Sequence, residues 1–75
     1  MTLMQSPLGK MIRASIREHN KSGRPVVSLL RILFIGGIQA RVIVRARNCD
    51  QYIDIPRDLP KTARNRMHKA LKRLA

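Results

Sequence analysis

Residues 35–48 read IGGIQARVIVRARN. After a glycine pair, Gln39, Arg41, Arg45 and Arg47 alternate with Ala40, Val42, Val44 and Ala46. Alternation with period two marks a strand that turns one face to a core and the other to water. The fold depends on what this strand pairs with, and the function on what its arginines are for.

Upstream, RPVVSLLRILFIGG (24–37) is rich in β-branched and apolar residues and ends in Gly36-Gly37. We read it as the first strand of a hairpin closed at those glycines, with a short buried helix over 26–35 as the alternative. A two-residue loop would set Arg31 opposite Val42 on the apolar face. A three-residue loop pairs Ile32 with Val42, Leu30 with Val44 and Phe34 with Ala40. A one-residue slip flips every side chain, so burial selects the odd loop. Val27, Leu29, Leu33 and Ile43 then lie on the outer face.

Downstream, NCD (48–50) reads as a turn and Gln51 to Ile55 as a third strand. An even loop sets Ile53 opposite Ala46 and Ile55 opposite Val44. It also sets Asp54 opposite Arg45 and Tyr52 opposite Arg47, which leaves Arg41 unpaired. Such cross-strand pairs contribute roughly 0.2–1 kcal/mol each.

Helices flank the sheet. Ser6-Pro7 is a cap followed by a proline at the first helical position. Leu8, Met11, Ile12 and Ile16 follow at helical spacing, and Gly23 supplies a left-handed stop, so a helix is expected over 7–20. The basic, acid-free N-terminus also has the look of a transit peptide, but its capping signals assign it to the fold. After Pro56, Asp58 is the candidate cap of a last helix with Pro60 in its first turn. Ala63, Met67, Ala70, Leu71 and Leu74 mark its apolar face. The expected architecture is a single α+β domain over residues 1–75: a helix, a three-stranded antiparallel sheet and a helix, with both helices on the inward sheet face.

That order is shared with double-stranded-RNA-binding domains, and KTARNRMHKAL (61–71) resembles the basic start of their last helix. The glycine-rich lead-in of that family is replaced here by IPRDLP (55–60), the apolar spacing after Asn65 is one residue short, and the first hairpin loop is only IGGI (35–38). A three-stranded sheet laid in the DNA major groove is an equally available geometry.

Sixteen Lys and Arg face four acids in 75 residues, a net charge of +12, which points to a polyanionic partner. Aromatics are only 3% of the chain, so its small core must be aliphatic. Cys49 is the single cysteine, which rules out an internal disulfide and fits a reducing compartment. The apolar run 26–38 contains Arg31 and is shorter than the roughly 20 residues of a membrane helix.

Chemistry has little to work with. Glu18, Asp50, Asp54 and Asp58 each have a structural place, and His19 and His68 sit on different helices with no cysteine or carboxylate at ligand spacing. The chain is therefore expected to be neither an enzyme nor a metal protein, and to need no cofactor. Its basic surfaces are the sheet arginines (Arg31, Arg41, Arg45, Arg47), the last helix (Lys61, Arg64, Arg66, Lys69, Lys72, Arg73), and the first helix with its following turn (Lys10, Arg13, Arg17, Lys21, Arg24). The arginine fork matches phosphate oxygens and the guanine edge, whereas lysine is a point charge. The expectation is a small nucleic-acid-binding protein, for DNA or RNA, with phosphate contacts from the last helix and closer contacts from Arg41 and Arg47. The outer apolar positions Leu29, Leu33 and Ile43 suggest a homodimer interface. The alternative is a small inhibitor or adaptor docking on an acidic protein. Membrane-surface binding ranks last, because no Trp or Phe anchors the last helix. A cytoplasmic, nucleoid or nuclear location would suit these readings.

Overall fold

The computed structural model of the chain describes residues 6–23 and 25–74. The elements are α1 (Pro7–Lys21), β1 (Val27–Ile35), β2 (Gln39–Ala46), β3 (Cys49–Pro56) and α2 (Pro60–Leu74). The strands form one antiparallel sheet in the order β1-β2-β3. This is the expected α+β arrangement, and the alternative helix over 26–35 is absent.

Local chemistry explains the boundaries of α1. Ser6 is extended, and its Oγ accepts the Gly9 N–H at 3.1 Å. The Ser22 N–H donates to the His19 carbonyl at 3.1 Å, and Gly23 follows at φ +81°. That is the left-handed position glycine fills without a Cβ penalty. The chain then turns into β1, and Asn20 ties the two together. Its Oδ1 accepts the Val27 N–H at 2.9 Å, and its Nδ2 donates to the Val27 carbonyl at 3.0 Å. One side-chain amide thereby satisfies both backbone groups of the residue that opens the edge strand.

The first hairpin loop has three residues, as burial requires, with Gly36 at φ +69°. Ile32 faces Val42 and Phe34 faces Ala40. The expected Leu30–Val44 pair does not form. A bulge leaves Leu30 without a partner, so Leu29 pairs with Val44 and Val27 with Ala46. The reason lies in a phase change: the apolar side chains at 27 and 29 are odd-numbered and Ile32 is even. One extra residue lets both sets point inward. Val27 is therefore buried and Leu29 packs against the core, which removes both from the outer face.

The second hairpin keeps the expected even loop but turns earlier, at Arg47-Asn48, with φ +54° and +64°. Two left-handed residues in a two-residue loop form the tight turn that matches strand twist. Ile53 accordingly faces Val42 rather than Ala46, and Ile55 faces Ala40 rather than Val44. Asp54 meets Arg41 rather than Arg45, and Tyr52 meets Ile43 rather than Arg47.

Both helices pack on the inward sheet face. Ile12 and Ile16 of α1, and Ala63, Met67 and Leu71 of α2, close over Ile32, Val42, Val44, Ile53 and Ile55. The core is aliphatic as expected, and Ala40, Ala46 and Ala63 keep the layers close. At the start of α2 the Leu59 carbonyl accepts the Ala63 N–H at 2.9 Å, which makes Leu59 the residue at the cap position. Asp58 lies one residue too early for the capping role expected of it.

Candidate nucleic-acid interface

The sheet arginines are the first test of the basic-surface reading. Arg41 donates from Nε to Asp54 Oδ1 at 2.8 Å and from Nη2 to Oδ2 at 3.2 Å, and its guanidinium lies 5.3 Å from the Tyr52 ring centroid. Arg45 donates from Nε to Asp50 Oδ1 at 2.8 Å. Arg41, expected to be unpaired, is thus half-buried and held by two hydrogen bonds, and Arg45 has Asp50 rather than Asp54 as its partner. The hydrogen bond from Arg41 holds the Asp54 carboxyl below its ordinary pKa, and the carboxylate in turn raises that of Arg41. Arg45 is raised for the same reason by Asp50. Arg47 leaves the face altogether and occupies the β2–β3 turn. Among the described residues, only Arg31, on the edge strand β1, remains on the outer face as an exposed cation with no carboxylate within ion-pair distance.

The helical side is different. Ten of the sixteen Lys and Arg belong to α1 and α2, against Glu18 as their single acid, so nine of the twelve net charges lie there. On α1, Lys10, Arg13, Arg17 and Lys21 follow at i, i+3, i+7 and i+11, opposite the buried Ile12, Ile16 and His19. On α2, Lys61, Lys69 and Lys72 form the corresponding stripe opposite Ala63, Met67 and Leu71. Arg66 and Arg73 are exposed on one flank of α2. Arg64 and His68 lie on the other, along the groove shared with Met11, Ser15 and Glu18 of α1. No ion pair within the described residues involves any of these cations. Arg24 lies outside the described residues.

A stripe from Lys61 to Lys72 spans about 16 Å at helical rise. A duplex presents about ten phosphates over that length. On the far side of α1, Arg13, Arg17 and Lys21 rim an open cleft floored by Ile16 and Leu29. Exposed ammonium and guanidinium groups around a shallow floor suit phosphates better than a buried small molecule.

The two faces of the domain are therefore unlike. The helical face is cationic. The sheet face is close to neutral, with Ile43 and Tyr52 between the ion pairs, Leu33 beside the Arg41–Asp54 pair and Ile35 beyond it. Of the three positions assigned to a dimer interface, Leu33 and Ile43 lie on this face, while Leu29 is turned to the core. Ile35 and Tyr52 join Leu33 and Ile43, placed there by the same strand parity. The α1 stripe is legible in the sequence as cations at helical spacing, although the contacts expected there come from the last helix and the sheet. Alternation alone does not signal which acids, five and thirteen residues away, hold Arg45 and Arg41.

Among the described residues no group of three His, Cys, Asp or Glu side chains is placed to hold a metal ion, and no helix is long and apolar enough to cross a membrane. Cys49 is exposed at the start of β3. Comparison of the chain with protein-family models, with curated proteins and with solved structures returns no match. The functional reading therefore rests on the geometry above.

Proposed function

We propose that this chain is a non-catalytic nucleic-acid-binding module that contacts the phosphate backbone through its helical face. The observation that supports this reading is the sorting of charge: ten cations and one acid on the helices, against paired arginines on the sheet. Basic residues at the start of α2, such as Lys61, stand against the helix dipole, so helix stability does not explain them. A polyanion laid across both helices neutralises that excess and releases its own counterions. The sheet arginines Arg41 and Arg45 act in the fold rather than at the ligand.

The test is affinity against salt. With six to ten phosphates engaged, binding to duplex or single-stranded nucleic acid is expected to weaken by roughly 10³–10⁵ between 50 and 200 mM salt. A response that is flat in salt rejects the reading. An acidic protein surface is the competing ligand for the same cations. A partner retained by the chain after nuclease treatment would favour that alternative.

A further inference from the structure

The helices cover one side of the sheet only. On the other side Leu33 and Ile35 keep more than a third of their surface exposed and Tyr52 keeps 64%. Ile43 lies between them on β2, directly opposite Tyr52 and Arg31. Apolar side chains this concentrated on the open face of a small domain are the usual mark of an interface. We propose that this face docks a second copy of the same chain, giving a helix–sheet–sheet–helix dimer whose two cationic layers point in opposite directions.

Charge identifies the occupant. Two copies approaching through their helices bring like charges together. The sheet face is the one side on which a second copy meets no such field, because Asp54 and Asp50 already hold Arg41 and Arg45. The face is also self-complementary. Among the described residues of this face, Arg31 is the cation outside the two ion pairs and lies on edge strand β1, and both carboxylates lie on the opposite edge strand β3. A twofold axis parallel to the strands lays β1 of one copy over β3 of the other. Arg31 is level with Tyr52, so it falls over the partner's Tyr52 ring with Asp50 and Asp54 on either side.

The area is of the right order. The domain measures 33 × 22 × 21 Å, so its largest face, about a fifth of the 5149 Å² surface, bounds the open sheet face at on the order of 1,000 Å². A standard interface takes roughly 800 Å² from each partner. Sheets packed face to face stand about 10 Å apart. Two domains of this thickness then set the outer surfaces of their helical layers on the order of 50 Å apart, facing away from each other. If the helical face binds nucleic acid as proposed above, one dimer joins two separate segments.

Sedimentation equilibrium of the full chain at high salt tests the interface, since like-charge repulsion is screened there. The expected mass is twice the 8.6 kDa of the chain. Leu33→Glu and Tyr52→Glu, checked by circular dichroism for retained fold, are expected to weaken the dimer at least tenfold. Arg31→Glu, at an exposed edge position, serves if either of those unfolds, and it too is expected to weaken the dimer. A wild-type monomer at high micromolar concentration overturns the proposal. So does a dimer that all three substitutions leave intact. Energy transfer between two separately labelled duplexes tests the outward-facing arrangement: wild type is expected to give it, and Leu33→Glu to bind duplex without it. A dimer that binds duplex yet never brings two together overturns that arrangement. A dimer that binds no nucleic acid leaves the interface standing and rejects the functional reading alone.

Discussion

Removing three lysines from the outer stripe of α2 separates the helical face from the sheet face as the site of contact. Lys61, Lys69 and Lys72 are exposed, lie opposite the buried side of the helix, and have no carboxylate partner among the described residues. Replacing each with Gln removes the charge and keeps helix propensity, so the fold should survive. Each phosphate contact contributes about 0.9 to the slope of log K against log salt on a B-form duplex. The triple variant should therefore flatten that slope by up to about 2.7 and weaken binding about a hundredfold at physiological salt. The matched control is Arg41→Gln with Asp54→Asn, which leaves net charge unchanged but removes an arginine from the sheet. It should alter neither slope nor affinity. Fluorescence anisotropy over a salt series measures both variants. If the lysine variant keeps the wild-type slope, or if the Arg41–Asp54 variant loses as much, contact through the helices is the wrong account.

Three further outcomes follow from the fold. Asn20→Ala removes both hydrogen bonds to Val27 and leaves those backbone groups without their partner, so it should destabilise by about 2 kcal/mol. In a domain this small that lowers Tm by roughly 12 °C; a shift of a degree or two in a thermal melt would show that the clamp is unimportant. Leu59→Asp places a capping side chain at the vacant position before Pro60 and should stabilise by about 1 kcal/mol, read as a rise in denaturation midpoint. Asp54 has its pKa lowered in the folded state, so its contribution is present above the ordinary carboxylate pKa and is lost as pH falls through the folded value. Asp54→Asn should therefore lose less stability than wild type on acidification below that range, in denaturant titrations across pH; identical acid limbs would mean the pair adds nothing.

What could be read from the sequence, and what could not, divides along a physical line. Burial acts on strand parity. It selected the odd first loop, the even second loop and the side of the sheet that carries the helices, and each is seen in the register. Local capping chemistry likewise marked Ser6, Pro7 and Gly23. The bulge at Leu30 was also written in the chain, as the change of apolar phase between Leu29 and Ile32, but it needs the strand to be treated as two segments. Burial is blind, however, to a shift by an even number of residues, because such a shift returns every side chain to its own face. Only the turn fixes that choice, and a turn built on Arg47 at φ +54° carries none of the usual glycine signal. The partner of Asp54 consequently moved four residues along β2, from Arg45 to Arg41. The composition of a sheet face can thus be read from sequence, whereas the charge left unneutralised on it depends on longitudinal register. A surface of arginines read from alternation alone counts every cation as available. Here the register placed two of them beside carboxylates, and the positive charge that remains open for a ligand belongs mainly to the helices, whose outward stripes are set by periodicity within a single element and do not depend on register at all.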